Sequence, residues 1–318
     1  MPIKKIGRVL ADVASLRLVS QELRGLREQV DSIRDQVARA SRAAAEGEYS
    51  RIAAECRGID RNRLEFCGGK RLSQNDEDGI ISEIFRRIGT KSRRFVEFGT
   101  GDGTENNTVS LLIDGWSGLW IDGCTEAHRH QMQVFRRWID SGNLSCLQSF
   151  LRVDNIDSVI SSAGVCGEID LLSIDVDGND LALWKAVRCV QPRVVVIEYN
   201  AYLAPPVRWS LPYDPSFHWD GRSAVFGASL QAMADYGAEC GFELVGCNIS
   251  GLNAFFVRAD ECGRKFPFAK RAVDLYHPRR YWLDVMFSRP SAELLTAAID
   301  GISVRNPSDE IAPDTHQP

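Results

Sequence analysis

From residue 93 onward the chain alternates short β runs with helical periods, and the alternation closes on two β runs that almost touch. RRFVEF, GLWIDG, LSCLQSF, IDLLSIDV and RVVVIEYN read as five strands, with helical stretches at 106–114, 128–142, 156–164, 181–190 and 227–241 between and after them. FELVGCN and NAFFVRA then follow, separated only by Ile249 to Leu252. So short a link makes a hairpin, because a parallel crossover needs a dozen or more residues. The expected fold is α/β: a doubly wound, mostly parallel seven-stranded sheet with a terminal antiparallel hairpin.

Ahead of the body, residues 10–46 contain no proline and one glycine, Gly25. An a/d series runs through Leu16, Val19, Leu23, Leu26, Val30, Ile33, Val37, Ala40 and Ala44, a repeat of 3.5 residues over roughly four heptads. A helix of that length spans about 55 Å, too long to pack wholly on one domain. The pattern predicts an N-terminal coiled-coil helix joining copies into a homo-oligomer, with Gly47 as its stop. Lys4, Lys5 and Arg8 beside Ile3 and Ile6 also allow peripheral contact with a membrane surface. Residues 1–55 carry net charge +2 and the remainder −7, which sets a boundary near residue 55. The expected units are a coiled-coil segment 1–55, a catalytic body 56–300 and a disordered tail 301–318.

Several classes are excluded. The 318 residues carry net charge −5 and no basic block of five, so nucleic acid is not the expected partner. No apolar run reaches the roughly 18–20 residues of a membrane span, and Asp12 and Arg17 interrupt anything resembling a leader. Nine cysteines stand singly with no CxxC, which fits reduced thiols in a cytoplasmic protein better than a zinc site or disulfide framework.

In an open α/β sheet the ligand sits at the carboxyl ends of the strands, and here those ends are acidic. Glu97-Phe98-Gly99-Thr100-Gly101-Asp102-Gly103 closes strand one, and Asp122 closes strand two. The glycines follow GxGxG rather than the GxGxxG of dinucleotide sites. Two carboxylates within about 6 Å would repel a pyrophosphate by several kcal/mol at an effective dielectric near 20. S-adenosylmethionine carries a sulfonium and an ammonium and no phosphate, so an acidic loop suits it. Asp122 is placed to accept from both ribose hydroxyls.

VEFGTGDGTENNT, GLWIDG, SIDVDGND and VVVIEYNA, with SQNDEDGIISEIF upstream, resemble the FkbM-type methyltransferases, a class I S-adenosylmethionine-dependent family with a Rossmann-like fold. The resemblance covers about residues 70–260 and implies O-methylation, often of a sugar hydroxyl in a polysaccharide, glycolipid or glycosylated natural product. It implies that Glu97, Gly99, Gly101 and Asp122 hold the cofactor, with Asp102 beside them, and that Phe150 and Leu151 flank the adenine. Asp175 would face the methionine or the acceptor. The implied enzyme is cytoplasmic or sits at the inner face of the membrane.

A sugar hydroxyl needs a general base or a metal to attack at neutral pH. Asp175, Asp177, Asp180, Glu198 and Asn200 end strands four and five, and an oxygen-rich set of that kind suits Mg²⁺. Asp175, Asp177 and Glu198 are the expected ligands, with Asp175, Glu198 or His218 as the base. His218 lies in the long loop AYLAPPVRWSLPYDPSFHWDG, whose aromatics and carboxylates suit a sugar. The competing readings are a non-catalytic S-adenosylmethionine-binding coiled-coil scaffold and a nicotinamide-dependent oxidoreductase.

Overall fold

The computed structural model describes residues 2–268, 270–287, 295–297 and 299, with side chains described from residue 20. The expected tail 301–318 and the side chains of Lys4, Lys5 and Arg8 lie outside the described residues. A long helix α1 (Pro2–Ile59) leads, followed by α2 (Glu77–Ile88). Then come β1 (Arg94–Phe98), α3 (Val109–Ile113), β2 (Ser117–Asp122), α4 (Thr125–Val134), α5 (Arg136–Asp140) and β3 (Leu144–Gln148). The second half runs α6 (Ile156–Ser162), β4 (Gly167–Ile174), α7 (Asp180–Ala186), β5 (Val190–Glu198), α8 (Leu230–Glu239), β6 (Phe242–Cys247) and β7 (Asn253–Arg258).

The strands form one seven-stranded sheet in the order β3-β2-β1-β4-β5-β7-β6. β1 to β5 pair in parallel, and β7 enters antiparallel between β5 and β6. This is the doubly wound, Rossmann-like arrangement expected, with the order reversing between β1 and β4. Side chains alternate across it. Val96, Val195 and Phe256 enter one apolar layer and Phe95, Val194 and Phe255 the other. The tryptophans at 116, 120, 138 and 184 are buried in these layers.

Three helices depart from the periodicity. The stretch after β1 becomes helical only at Val109, because Asn106 to Thr108 bind the Glu97 carboxylate instead. The stretch after β2 breaks at Phe135, whose ring lies 4.7 Å from that of Trp120. Gly47 does not stop α1, which continues to Ile59. A mid-helix glycine costs about 1 kcal/mol. Burial of Tyr49 and Ile52, with Ala45 and Cys56, against Ile249, Leu283 and Phe287 outweighs it, each large apolar side chain contributing about 1.5–3 kcal/mol.

From Leu26 to Ser41 the helix stands clear of the body. Leu23, Leu26, Val30, Ile33 and Val37 are exposed, between 48% and 59%. No helix among the described residues is long and apolar enough to cross a membrane.

Candidate active site

The carboxyl ends of β1 to β4 surround two adjoining cavities, of about 660 Å³ and about 260 Å³, which share Gly99, Gly101 and Asp175. The loop after β1 builds their common wall. Gly99 has φ 70°, and a Cβ there would overlap the Asp175 carbonyl, so only glycine lets β1 press on the end of β4. Gly101, at φ 51°, faces open space.

Glu97 is buried beneath this loop and holds it. One oxygen accepts from the Asn107 N–H (2.8 Å) and Ser173 Oγ (3.1 Å). The other accepts from Asn106 Nδ2 (2.9 Å), the Thr108 N–H (3.1 Å) and Thr108 Oγ1 (2.5 Å). Burial raises its pKa, and these donors oppose the rise. Asp102 accepts from the Thr104 N–H and hydroxyl on the rim. Asp122 lines the larger cavity, and its oxygens accept from the Gly101 N–H and the Cys124 N–H, each at 2.7 Å. Each oxygen keeps a lone pair for a further donor.

Phe150 and Leu151 line the same cavity, beyond β3. Phe150 is 43% exposed, and its ring lies 5.3 Å from that of His218. His218 therefore stands at the β3 side of the cavity. Its loop straps across the opening: Tyr213 Oη accepts from the Val153 N–H, Asn179 Nδ2 donates to the Asp214 carbonyl, and Phe217 packs on Gly178. A Cβ at Gly178 would overlap the Phe217 ring. Asp214 and Asp220 accept from their own turns, and Trp219 packs on Phe226.

Oxygens of Asp175, Asp177 and Glu198 lie within 4.8 Å of one another. Burial, then the neighbouring Asp180 and Asp177 charges, push Asp175 well above the usual carboxylate range. Burial and Asp175 do the same to Glu198, opposed by Arg279. Asp177, more open to solvent, shifts up through partial burial and Asp122. Its backbone is left-handed, with φ 56°. The other two members of the expected cluster hold structure. Asp180 accepts from the Val176 and Gly178 N–H groups, and Asn200 bonds the strap carbonyls of Ala224 and Phe226.

No protein-family model matches the sequence, and no curated protein matches it. Solved structures do resemble the chain. The methyltransferase domain of bacterial CtHen1 is 14% identical, with 58% of this chain and 97% of that one covered and a TM-score of 0.35. An O-methyltransferase from Bacillus cereus, solved with S-adenosylhomocysteine, is 13% identical, with 67% and 89% covered and a TM-score of 0.39. TrmK from M. capricolum, with the same cofactor product, is 10% identical, with 56% and 65% covered and a TM-score of 0.35. The fold assignment rests on the strand order itself.

Sequence reasoning assigned no role to Gln74, Asn106, Phe217 or Asn253, all of which line these cavities. SQNDEDG was visible as a block, but nothing local marked Gln74 as facing the end of β1. No Lys or Arg among the described residues lines either cavity.

Proposed function

We propose that this chain is an S-adenosylmethionine-dependent O-methyltransferase of FkbM type that methylates a sugar hydroxyl. The observation that carries the reading is a pair of adjoining cavities at the carboxyl edge of the sheet, lined by carboxylates and glycines and, among the described residues, by no Lys or Arg. A pyrophosphate finds no partner there, whereas a sulfonium and an ammonium do. Asp122 accepts from the ribose, Phe150 and Leu151 cover the adenine, and Gly101 leaves room for the ligand beside the backbone. When bound, S-adenosylmethionine supplies the electrophilic methyl group.

The chain supplies position and charge. In-line attack needs the acceptor oxygen held opposite the leaving sulfur, and such positioning lowers the barrier by up to roughly 7–11 kcal/mol. In this reading the acceptor oxygen meets the group formed by Asp175, Asp177 and Glu198, of which Asp175 and Asp177 line the larger cavity. Burial and mutual repulsion raise the proton affinity of Asp175 and Glu198, the direction a general base needs. The same oxygens, within 4.8 Å of one another, fit an oxygen-binding divalent cation such as Mg²⁺. A cation there would draw the acceptor hydroxyl toward ionisation. His218, against Phe150, serves the adenine side in this arrangement.

The α1 stripe from Leu23 to Val37 supports assembly of copies through a parallel coiled coil. The stretch of α1 ahead of Ala45 then serves as the assembly helix, and its root from Ala45 to Ile59 belongs with the catalytic body at one end. Methyl transfer from S-adenosylmethionine to a panel of glycosides, read by mass spectrometry, tests the function. A mass gain of one methyl group that is lost in Asp175→Asn supports it, and no transfer to any glycoside contradicts it.

A further inference from the structure

Asn253 opens β7 and stands opposite Glu198 in the antiparallel register with β5. Its side chain is 5% exposed and lines the smaller cavity with Gln74, Asn106 and Asp175. Its Nδ2 donates to Glu77 Oε1 at 3.0 Å, the oxygen that also accepts from Asn248 Nδ2 at 2.8 Å. The second Glu77 oxygen accepts from the Asn75 N–H at 2.8 Å. A carboxylate offers acceptors only, so the Asn253 amide meets Glu77 through its NH₂ and turns its carbonyl away. That carbonyl oxygen, Oδ1, has no hydrogen-bond partner among the described residues.

Asn106 repeats the arrangement in the loop after β1. Its Nδ2 donates to the buried Glu97 at 2.9 Å, and its Oδ1 also has no partner among the described residues. Two buried glutamates thus each grip an asparagine by its amide nitrogen. Both unfilled groups are acceptors. A buried acceptor left unpaired is costly, and a ligand that brings a donor to it is favoured over one that brings another acceptor.

We propose that Asn253, held in one orientation by Glu77, is a specificity-determining residue for the acceptor. Its carbonyl oxygen takes a hydrogen bond from a hydroxyl or ammonium next to the reacting hydroxyl. The site admits neutral and amine-bearing sugars and turns away those bearing a carboxylate. This rests on the function proposed above. Asn253 touches the acceptor, and Glu77 is a positioning residue that acts through it.

The test is ligand-observed NMR on the full chain saturated with S-adenosylhomocysteine, using methyl α-glucopyranoside, glucosamine and glucuronate as probes. The glucoside and glucosamine are expected to bind and glucuronate not to. Asn253→Leu should weaken the two binders by about tenfold with S-adenosylhomocysteine kept saturating. Glu77→Gln frees the amide to turn, so the preference for glucosamine over glucuronate should shrink in it, an effect that a loss of stability alone would not produce. Glucuronate binding as well as glucosamine, no binding by any probe, or unaltered binding in a folded Asn253→Leu chain would each overturn the proposal. If Asn253→Leu does not fold, the three probes on the unaltered chain still decide. Failure of S-adenosylhomocysteine itself to bind contradicts the underlying function instead.

Discussion

Tyr49 Oη donates a 2.8 Å hydrogen bond to Oδ2 of Asp76, tying the long N-terminal helix to the segment that leads into α2. Both side chains are buried. Asp76 precedes Glu77, the residue that orients Asn253, so the root of α1 and the wall of the smaller cavity share one set of buried polar contacts. Tyr49→Phe removes the donor and leaves a buried carboxylate without it. The expected loss is about 1–3 kcal/mol, read as a lower urea midpoint at unchanged m-value. An unchanged midpoint would show that this bond does not secure the helix.

Asp76 and His277, two buried groups, shift the pH dependence of stability in opposite directions. Burial and the adjacent Glu77 push Asp76 from 3.8 up to about 7. A carboxyl whose folded pKa is raised contributes stability that is fully present below its unfolded value and lost as pH rises toward the folded one. That loss spans roughly pH 4 to 7. His277 moves the other way: burial lowers its pKa from 6.5, although Glu65 favours the charged ring, and Arg280 and Arg63 add to the lowering. Its contribution is present above 6.5 and lost as pH falls below that. Asp76→Asn keeps an oxygen for Tyr49 and removes the charge, so it should raise the melting temperature at pH 8 and change it little at pH 4.5. Each kcal/mol corresponds to roughly 2–4 °C in a body of this size. Equal effects at both pH values would place the ionisation elsewhere.

How much of this was open to reading from the sequence depended on the range of the interaction. Strand runs such as VVVI in β5 are marked by their own composition, and the five-residue link between β6 and β7 forces the hairpin. Asp122 and Gly99 were legible because a strand end and a tight turn are local events. The Asn253–Glu77 bond joins residues 176 positions apart, and nothing near either one marks the pairing. The position of Glu97 at a strand end was visible in the sequence, while the five bonds that bind it to its own loop were not. Gly47 misled because propensity is local and the packing of Tyr49 and Ile52 is not.

The exposed stripe on α1 makes assembly testable without disturbing the body. Because Ala45, Tyr49, Ile52 and Cys56 belong to its packing, a truncation has to end ahead of them. Deleting residues 1–40 should leave a folded chain that sediments as a monomer, while the full chain sediments as a dimer or trimer. Val30→Asp should dissociate the full chain in the same way, by putting a charge at an a/d position. A full-length monomer at micromolar concentration would contradict the coiled coil.

The acidic edge of the sheet decides between ligands most directly at Asp122. Calorimetric titration of the full chain with S-adenosylhomocysteine and, separately, with NAD is the measurement. The account predicts one-to-one binding of S-adenosylhomocysteine and none of NAD. It also predicts a roughly 10- to 150-fold loss of the former in Asp122→Ala, the equivalent of about 1.5–3 kcal/mol for a charged hydrogen bond. Binding of NAD with no response to S-adenosylhomocysteine, or full affinity in a folded Asp122→Ala chain, would contradict it.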